Sequence, residues 1–279
     1  MKNKTVIVTG ANSGIGYITA LEIAKLGAKV VLVCRNKAKG EQAQQQIKEK
    51  ANNQSVFLKI ADLSSLKEIR RVAEEIKQEY PVIDVLVNNA GVIISERQLS
   101  ADGIEMTWAT NHLGYFLLTN LLLDNLKAAS AARIVNVASQ ASWLGTIQWE
   151  DINFSKNYGA MGAYAQSKLA NIMFTNELAN RLKGTKITTN AVHPGAVGTN
   201  FGRNMTGFMG RVIKWFGNFM RTPEKGAETS IWLAVSPEME GVTGKYFADK
   251  KPIKAKAIAY QPDALKRLWE LSEKMTNGL

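Results

Sequence analysis

The chain reads as an α/β fold, a doubly wound and mainly parallel sheet with helices on both faces. Three observations predict it. Apolar strand-like segments alternate with helix-patterned segments through 279 residues. The strands are apolar on successive residues, as strands covered by helices on each side must be. A glycine-rich turn joins the first strand to the first helix, where such sheets bind their ligands. The predicted strands run, in order, near Thr5 to Val8, Lys29 to Val33, Val56 to Ile60, Val82 to Val87, Arg133 to Val137, Ile187 to Val192 and Thr243 to Phe247. No linker-like stretch breaks the alternation, so one domain over 1–279 is the economical organisation.

The first strand ends in Thr9, Gly10, Ala11, Asn12, Ser13, Gly14, Ile15 and Gly16, and a helical pattern follows from Tyr17 to Leu26. A phosphate placed there meets free backbone N–H groups and the positive end of the helix dipole. Only glycine lets that backbone turn sharply and approach a pyrophosphate closely, which points to a bound dinucleotide. The spacing is G-x-x-x-G-x-G rather than the generic G-x-G-x-x-G. A purely structural turn is the alternative.

Composition narrows the function classes. Lys plus Arg is 35 against 24 for Asp plus Glu, a net charge of +11. The cations are spread through the helices rather than gathered in one tract, which suits solvated faces and a site for a multiply charged phosphate, and argues against nucleic acid as a partner. Cys34 is the only cysteine, so an intrachain disulfide is excluded. The first strand begins without the basic, apolar and small-residue regions of a signal peptide, and a cytoplasmic protein is expected. Apolar clusters such as Phe116 to Leu123 fall short of the roughly 18 residues that span a bilayer.

The second strand runs out into Val33, Cys34, Arg35, Asn36 and Lys37. An acid in this region would bind the ribose hydroxyls of NAD and repel a 2′-phosphate. Here Cys34 stands where that acid would be sought, and Arg35 with Asn36 offers charge-assisted bonds to a phosphate. NADP (NADPH) is therefore expected in preference to NAD, with Arg35 as a merely solvated strand end the alternative. After the third strand, Asp62 and its neighbour Leu63 are placed at the adenine, with helix capping an additional role for Asp62.

The chemistry is expected at Tyr164, Ala165, Gln166, Ser167 and Lys168, with Ser139 at the end of the fifth strand. Residues four apart share a helix face, so Tyr164 presents its phenol beside the Lys168 ammonium. A free phenol has a pKa near ~10, and a neighbouring cation favours the phenolate. Ser139 is placed to hydrogen-bond the same substrate oxygen. His112 and His193 lack metal-ligand spacing and read as packing residues, so no metal is expected.

Together these pieces resemble the short-chain dehydrogenase/reductase family over essentially the whole chain. The matching residues are Thr9 to Gly16, Asn88-Asn89-Ala90-Gly91, Asn111, Ser139, Tyr164 with Lys168, and Pro194-Gly195 followed by Val197 and Thr199. The resemblance implies a seven-stranded Rossmann sheet, a catalytic tetrad of Asn111, Ser139, Tyr164 and Lys168, and hydride transfer between a nicotinamide and a carbonyl or alcohol carbon. It further implies that Lys168 binds the nicotinamide ribose, that Asn111 holds a proton-relaying water, and that Asn89 to Gly91 lie beside the adenosine. Pro194 to Thr199 would lie against the nicotinamide. Members of the family pair through the helices bearing Asn111 and Tyr164, which makes a homo-oligomer one expectation. Asn111-His112-Leu113-Gly114, Phe116 to Thr119, Ser167 to Asn171, Pro223 to Ala227 and the long interval between Ser139 and Tyr164 resemble the retinol dehydrogenase and WW-domain oxidoreductase branch. That branch implies a lipophilic aldehyde or ketone, though this chain starts without a leading membrane helix.

Substrate choice is expected in a lid at about 200–221, where Phe201, Met205, Phe208, Trp215 and Phe219 interleave with Arg203, Arg211, Lys214 and Arg221. The same pattern suits a helix on an anionic membrane surface, or plain core and subunit packing. Trp143, Trp149 and Tyr158 are expected to complete the pocket wall. Two other functional classes stay open: a dinucleotide-binding sensor or scaffold without turnover, and a peripheral membrane factor.

Overall fold

The computed structural model describes residues 1–197 and 221–277. Among them one sheet of eight strands runs in the order β3-β2-β1-β4-β5-β6-β7-β8. The strands are β1 (Thr5–Thr9), β2 (Lys29–Cys34), β3 (Val56–Ile60), β4 (Val85–Asn88), β5 (Ala132–Val137), β6 (Ile187–His193), β7 (Lys245–Ala248) and β8 (Lys251–Ile253). Every pairing is parallel except that of β7 with β8.

All seven expected strands are present, and β8 is an addition. Its three residues, Lys251, Pro252 and Ile253, form a short antiparallel edge. A strand carrying a lysine and a proline reads as a turn, and those residues also blunt an open edge. The fourth strand begins at Val85 rather than Val82. Val82 is exposed, and Asp84 is turned toward β1, where it accepts from Thr5 N and Lys4 Nζ, each at 2.8 Å.

Successive strand residues alternate between two apolar layers, as the pleat requires. Val6, Val8, Val30, Leu32, Val85, Val87 and Val135 face one layer, with α1 (Gly14–Lys25), α2 (Lys37–Ala51) and α8 (Pro223–Val235). Ile7, Val31, Val33, Leu86 and Ile134 face the other. There lie α3 (Leu66–Glu79), α4 (Met106–Trp108), a π-helical turn over Ala109–Leu113, α5 (Gly114–Leu121), α6 (Leu123–Lys127), α7 (Ala160–Arg181) and α9 (Pro262–Asn277). In α3 the buried residues Leu66, Ile69, Val72, Ala73 and Ile76 follow helical spacing, and Ser65 caps the first turn by accepting from Glu68 N. The long α7 buries residues nearly all round, because it is held between the sheet and α9. Trp269 of α9 stacks on Phe174 at 5.9 Å and meets Phe116 edge-on at 4.9 Å.

The strand order reverses between β1 and β4, and the glycine turn, the Asn89 segment and Ser139 all emerge at carboxyl ends of strands. This is the crevice where open α/β sheets take their ligands.

Candidate active site

The glycine turn is an interlocked backbone cradle. Gly10 and Gly14 adopt φ of +65° and +55°, values that side-chain-bearing residues avoid. A Cβ on Gly16 would collide with Asn89 Nδ2 and lie 2.5 Å from the Gly10 oxygen. Asn89 straps the turn to β4 by donating from Nδ2 to the Thr9 carbonyl at 2.8 Å. The Thr9 hydroxyl oxygen accepts from the N–H groups of Asn89 and Ala90. At the start of α1 the extended Ser13 makes no side-chain cap, and the first turn holds no acid. That leaves the helix N-terminal N–H groups and their positive potential directed at the crevice, which fits the pyrophosphate of a dinucleotide. Ile15 and Val197 both pack at Gly226 of α8, so the turn and the segment after β6 share one support.

At the carboxyl end of β2, where the adenosine was expected, Arg35 is exposed and stands 3.8 Å from Asp62. Asn36 caps α2 through Oδ1, which accepts from Lys39 N at 3.0 Å. The Asp62 Oδ1 accepts from both N and Oγ of Ser64, an Asx turn, while Ser65 rather than Asp62 caps α3. Leu63 is buried in the core and its carbonyl backs Gly114. Cys34 is buried, which pushes its thiol up to about 11 despite hydrogen bonds from the Ala11 and Asn12 backbone.

The four candidate catalytic residues converge beside this cradle. Asn111 sits in the π-helical turn, an irregularity that recurs at functional sites. Its Oδ1 accepts from Val92 N at 2.7 Å, and its Nδ2 donates to the Val92 carbonyl and to Ser167 Oγ at 2.9 and 3.0 Å. Both ends of the side-chain amide are therefore engaged within the protein. Gly91 is the residue they close upon, since a Cβ there would lie 3.3 Å from Asn111 Oδ1 and 3.5 Å from Lys168 Nζ. Ser139 lies two residues beyond β5 and caps a 3₁₀ turn over Gln140–Trp143, its Oγ accepting from Ala141 N at 3.2 Å. Tyr164 and Lys168 lie one turn apart on α7.

Their electrostatics differ from the expected pairing. Burial pushes the Tyr164 phenol up to about 12, with a hydrogen bond to Ser139 pulling the other way. Burial also brings Lys168 down to about 7. The Lys168 Nζ donates to the Val137 carbonyl at 2.8 Å and lies over the Tyr164 ring, 5.7 Å from its centroid. The ammonium is held by the end of β5 and by the ring face, and desolvation dominates at the phenol.

Of the segment after β6, Pro194, Gly195 and Val197 are described, and Thr199 lies outside the described residues, as does nearly all of the lid expected at about 200–221. Gly195 has φ +86°, and a Cβ there would meet the Arg221 side chain at 2.5 Å. Arg221 forms an ion pair with Asp249. Of the three expected wall aromatics, Trp143 is exposed on the 3₁₀ turn, Tyr158 donates to the Ile94 carbonyl, and Trp149 lies against Arg267 of α9. Trp149 thus braces α9, its indole face meeting the guanidinium at 4.5 Å. His112 is a core residue with Nε2 2.8 Å from Ser272 Oγ, and His193 Nδ1 accepts from Gln140 N.

The sequence pattern of the short chain dehydrogenases matches residues 4–208. The chain belongs to the short-chain dehydrogenase/reductase family. It is an oxidoreductase of the kind that acts on CH–OH and C=O groups with a nicotinamide dinucleotide. Within the family it is retinol dehydrogenase-like: it is 43% identical to mouse (Mus musculus) retinol dehydrogenase 14 over 100% of this chain and 87% of that protein. Human (Homo sapiens) retinol dehydrogenase 11 is 44% identical over 98% of this chain and 85% of its own. The crystal structure of an uncharacterised protein from Mycobacterium paratuberculosis superposes with a TM-score of 0.81 at 33% identity, covering 99% of this chain and 94% of that one.

Two residues to which sequence reasoning assigned no role of their own touch the candidate catalytic side chains. Ser167 is buried between Asn111 and the Tyr164 carbonyl, to which its Oγ donates at 2.8 Å. Its position one turn after Tyr164 was the available signal. Tyr115, four residues after Asn111, reaches Lys168 from α5. Nothing short of the tertiary arrangement pointed to it.

Proposed function

We propose that the protein is an NADP(H)-dependent oxidoreductase that transfers hydride between the nicotinamide and the carbonyl or alcohol carbon of a lipophilic aldehyde or ketone. The single observation carrying this reading is the convergence of Ser139, Tyr164 and Lys168 at the carboxyl ends of the strands beside the glycine cradle. NADP in preference to NAD rests on Arg35, exposed at the mouth, and on Cys34 standing where a repelling carboxylate would be. A lipophilic substrate is supported by Trp143 and Leu144, which are 49% and 75% exposed on the turn after Ser139. The retinol dehydrogenases it resembles are named for an alcohol of that kind.

In the reductive direction the bound nicotinamide supplies the hydride. Ser139 donates a hydrogen bond to the substrate oxygen, its Oγ being oriented by Ala141 N. Tyr164 protonates that oxygen as charge develops, and a phenol held high by burial is in its acid form for this step. Lys168, anchored on the Val137 carbonyl, holds the ribose and supplies positive potential when protonated. Asn111 fixes the Val92 backbone and, through Ser167, the turn of α7 that carries Tyr164. In this reading the protein works in the cytoplasm, and the lid expected at about 200–221 lies almost wholly outside the described residues. No helix among the described residues is long and apolar enough to cross a membrane.

The test is NADPH consumption, beside NADH, over aldehydes and ketones from short to long-chain and aromatic, with Tyr164→Phe as control. Turnover that prefers NADPH and falls by about a hundredfold or more in the variant supports the reading. Binding of both cofactors with no turnover on any substrate would instead favour a sensor.

A further inference from the structure

Lys168 poses a problem of charge. Its side chain is buried, and among the described residues no carboxylate pairs with it. A buried ammonium needs compensation, or it is driven to the neutral form. The Val137 carbonyl supplies one hydrogen bond. Two aromatic rings also face Nζ: the Tyr164 ring at 5.7 Å and the Tyr115 ring at 5.6 Å, both within the roughly 6 Å at which a ring face attracts a cation.

Tyr115 is fully buried on α5, and its hydroxyl has no hydrogen-bond partner. Burying an unpaired hydroxyl is unfavourable, so hydrogen bonding does not account for the residue. Its ring does touch something of consequence.

We propose that Tyr115 is a positioning residue whose ring face holds the Lys168 ammonium against the end of β5. The two phenol rings and the Val137 carbonyl then define the seat of the ammonium, Tyr164 from its own helix and Tyr115 from across the helix pair. The other groups bordering Lys168 are Gly91 after β4 and Asn111 of the π-helical turn, both uncharged. The titratable Tyr246 of β7 interacts with Tyr164. The contact stands independently of turnover, while its importance for catalysis rests on the function proposed above.

The experiment is an NMR titration of lysine ¹³Cε in wild type, Tyr115→Phe, Tyr115→Leu and Tyr115→Met, with Lys168→Met identifying the resonance. Phe keeps the ring, so the Lys168 midpoint stays at its wild-type value and the protein is at least as stable. Leu and Met remove it, so the midpoint moves down by about one pH unit, a tenfold loss of proton affinity. Tyr115→Met guards against a Leu variant that fails to fold. A wild-type midpoint in a folded Leu or Met variant would overturn the proposal, as would an equal fall in Tyr115→Phe. No substrate enters this measurement, so it remains decisive if the oxidoreductase reading fails. With a substrate in hand, Tyr115→Leu moves the basic limb of kcat/KM to lower pH, which loss of packing alone would not do.

Discussion

Gly16→Ala perturbs the cradle at its tightest point. The added methyl would collide with Asn89 Nδ2 and lie 2.5 Å from the Gly10 oxygen. Both must retreat by roughly an ångström to reach ordinary contact, in a place where Asn89 holds the Thr9 carbonyl at 2.8 Å. Overpacking of this kind costs about 1–3 kcal/mol, and loss of the Asn89 bond adds about 1 kcal/mol. Asn89→Ala alone should lose about 1–2 kcal/mol, because it removes the strap without a clash. The double variant is the discriminating one: with the amide gone, the methyl added at position 16 still meets the Gly10 carbonyl but no longer the Asn89 side chain, so the combined loss should fall short of the sum by about 1 kcal/mol. Urea unfolding of the four proteins, at constant m-value, measures this directly, and NADPH fluorescence titration should show weakened binding in each variant. Wild-type stability for Gly16→Ala, or strictly additive losses, would refute the interlock.

Other consequences follow from named contacts. Folding takes Lys168 from an ordinary 10.5 to about 7, so between those values the unfolded chain binds the extra proton and stability rises with pH. Lys168→Met should flatten that rise and stabilise the protein at pH 7; parallel stability–pH curves would contradict it. Trp269→Ala should cost about 3–5 kcal/mol, read as a lower calorimetric midpoint, because the indole packs on Phe116 and Phe174 and under Arg181. An unchanged midpoint would mean that α9 is not docked as described. Cys34→Asp with Arg35→Ala should shift cofactor preference from NADP toward NAD, by about tenfold or more in relative Kd; equal NADPH affinity before and after would remove Arg35 from the 2′-phosphate site.

Much of this molecule was legible in one dimension, for identifiable reasons. Strands such as β2 and β5 are apolar on both faces because helices cover both, and that doubled apolarity survives in the sequence. Gly10 and Gly16 are required by φ and by close approach, constraints that only glycine satisfies. Tyr164 and Lys168 share a helix, so their spacing alone brings them together. What stayed hidden depends on the third dimension. The π-helical turn at Asn111 is an insertion in the ladder that leaves no compositional mark. Tyr115 and Lys168 are far apart in sequence, as are His112 and Ser272. The expectation that Lys168 would lower Tyr164 counted proximity and left out burial, which sets the direction for both groups.

The position of α9 has a bearing on how the chain is made. It follows every strand of the sheet in chain order, and it covers aromatic side chains of α5 and α7 that were synthesised well before it. While the ribosome works through the intervening segment, Phe116 and Phe174 present an uncovered apolar face on an otherwise sheet-ready intermediate. Nascent chains stalled before residue 262 should therefore be the species that chaperones capture, and release should coincide with emergence of Trp269.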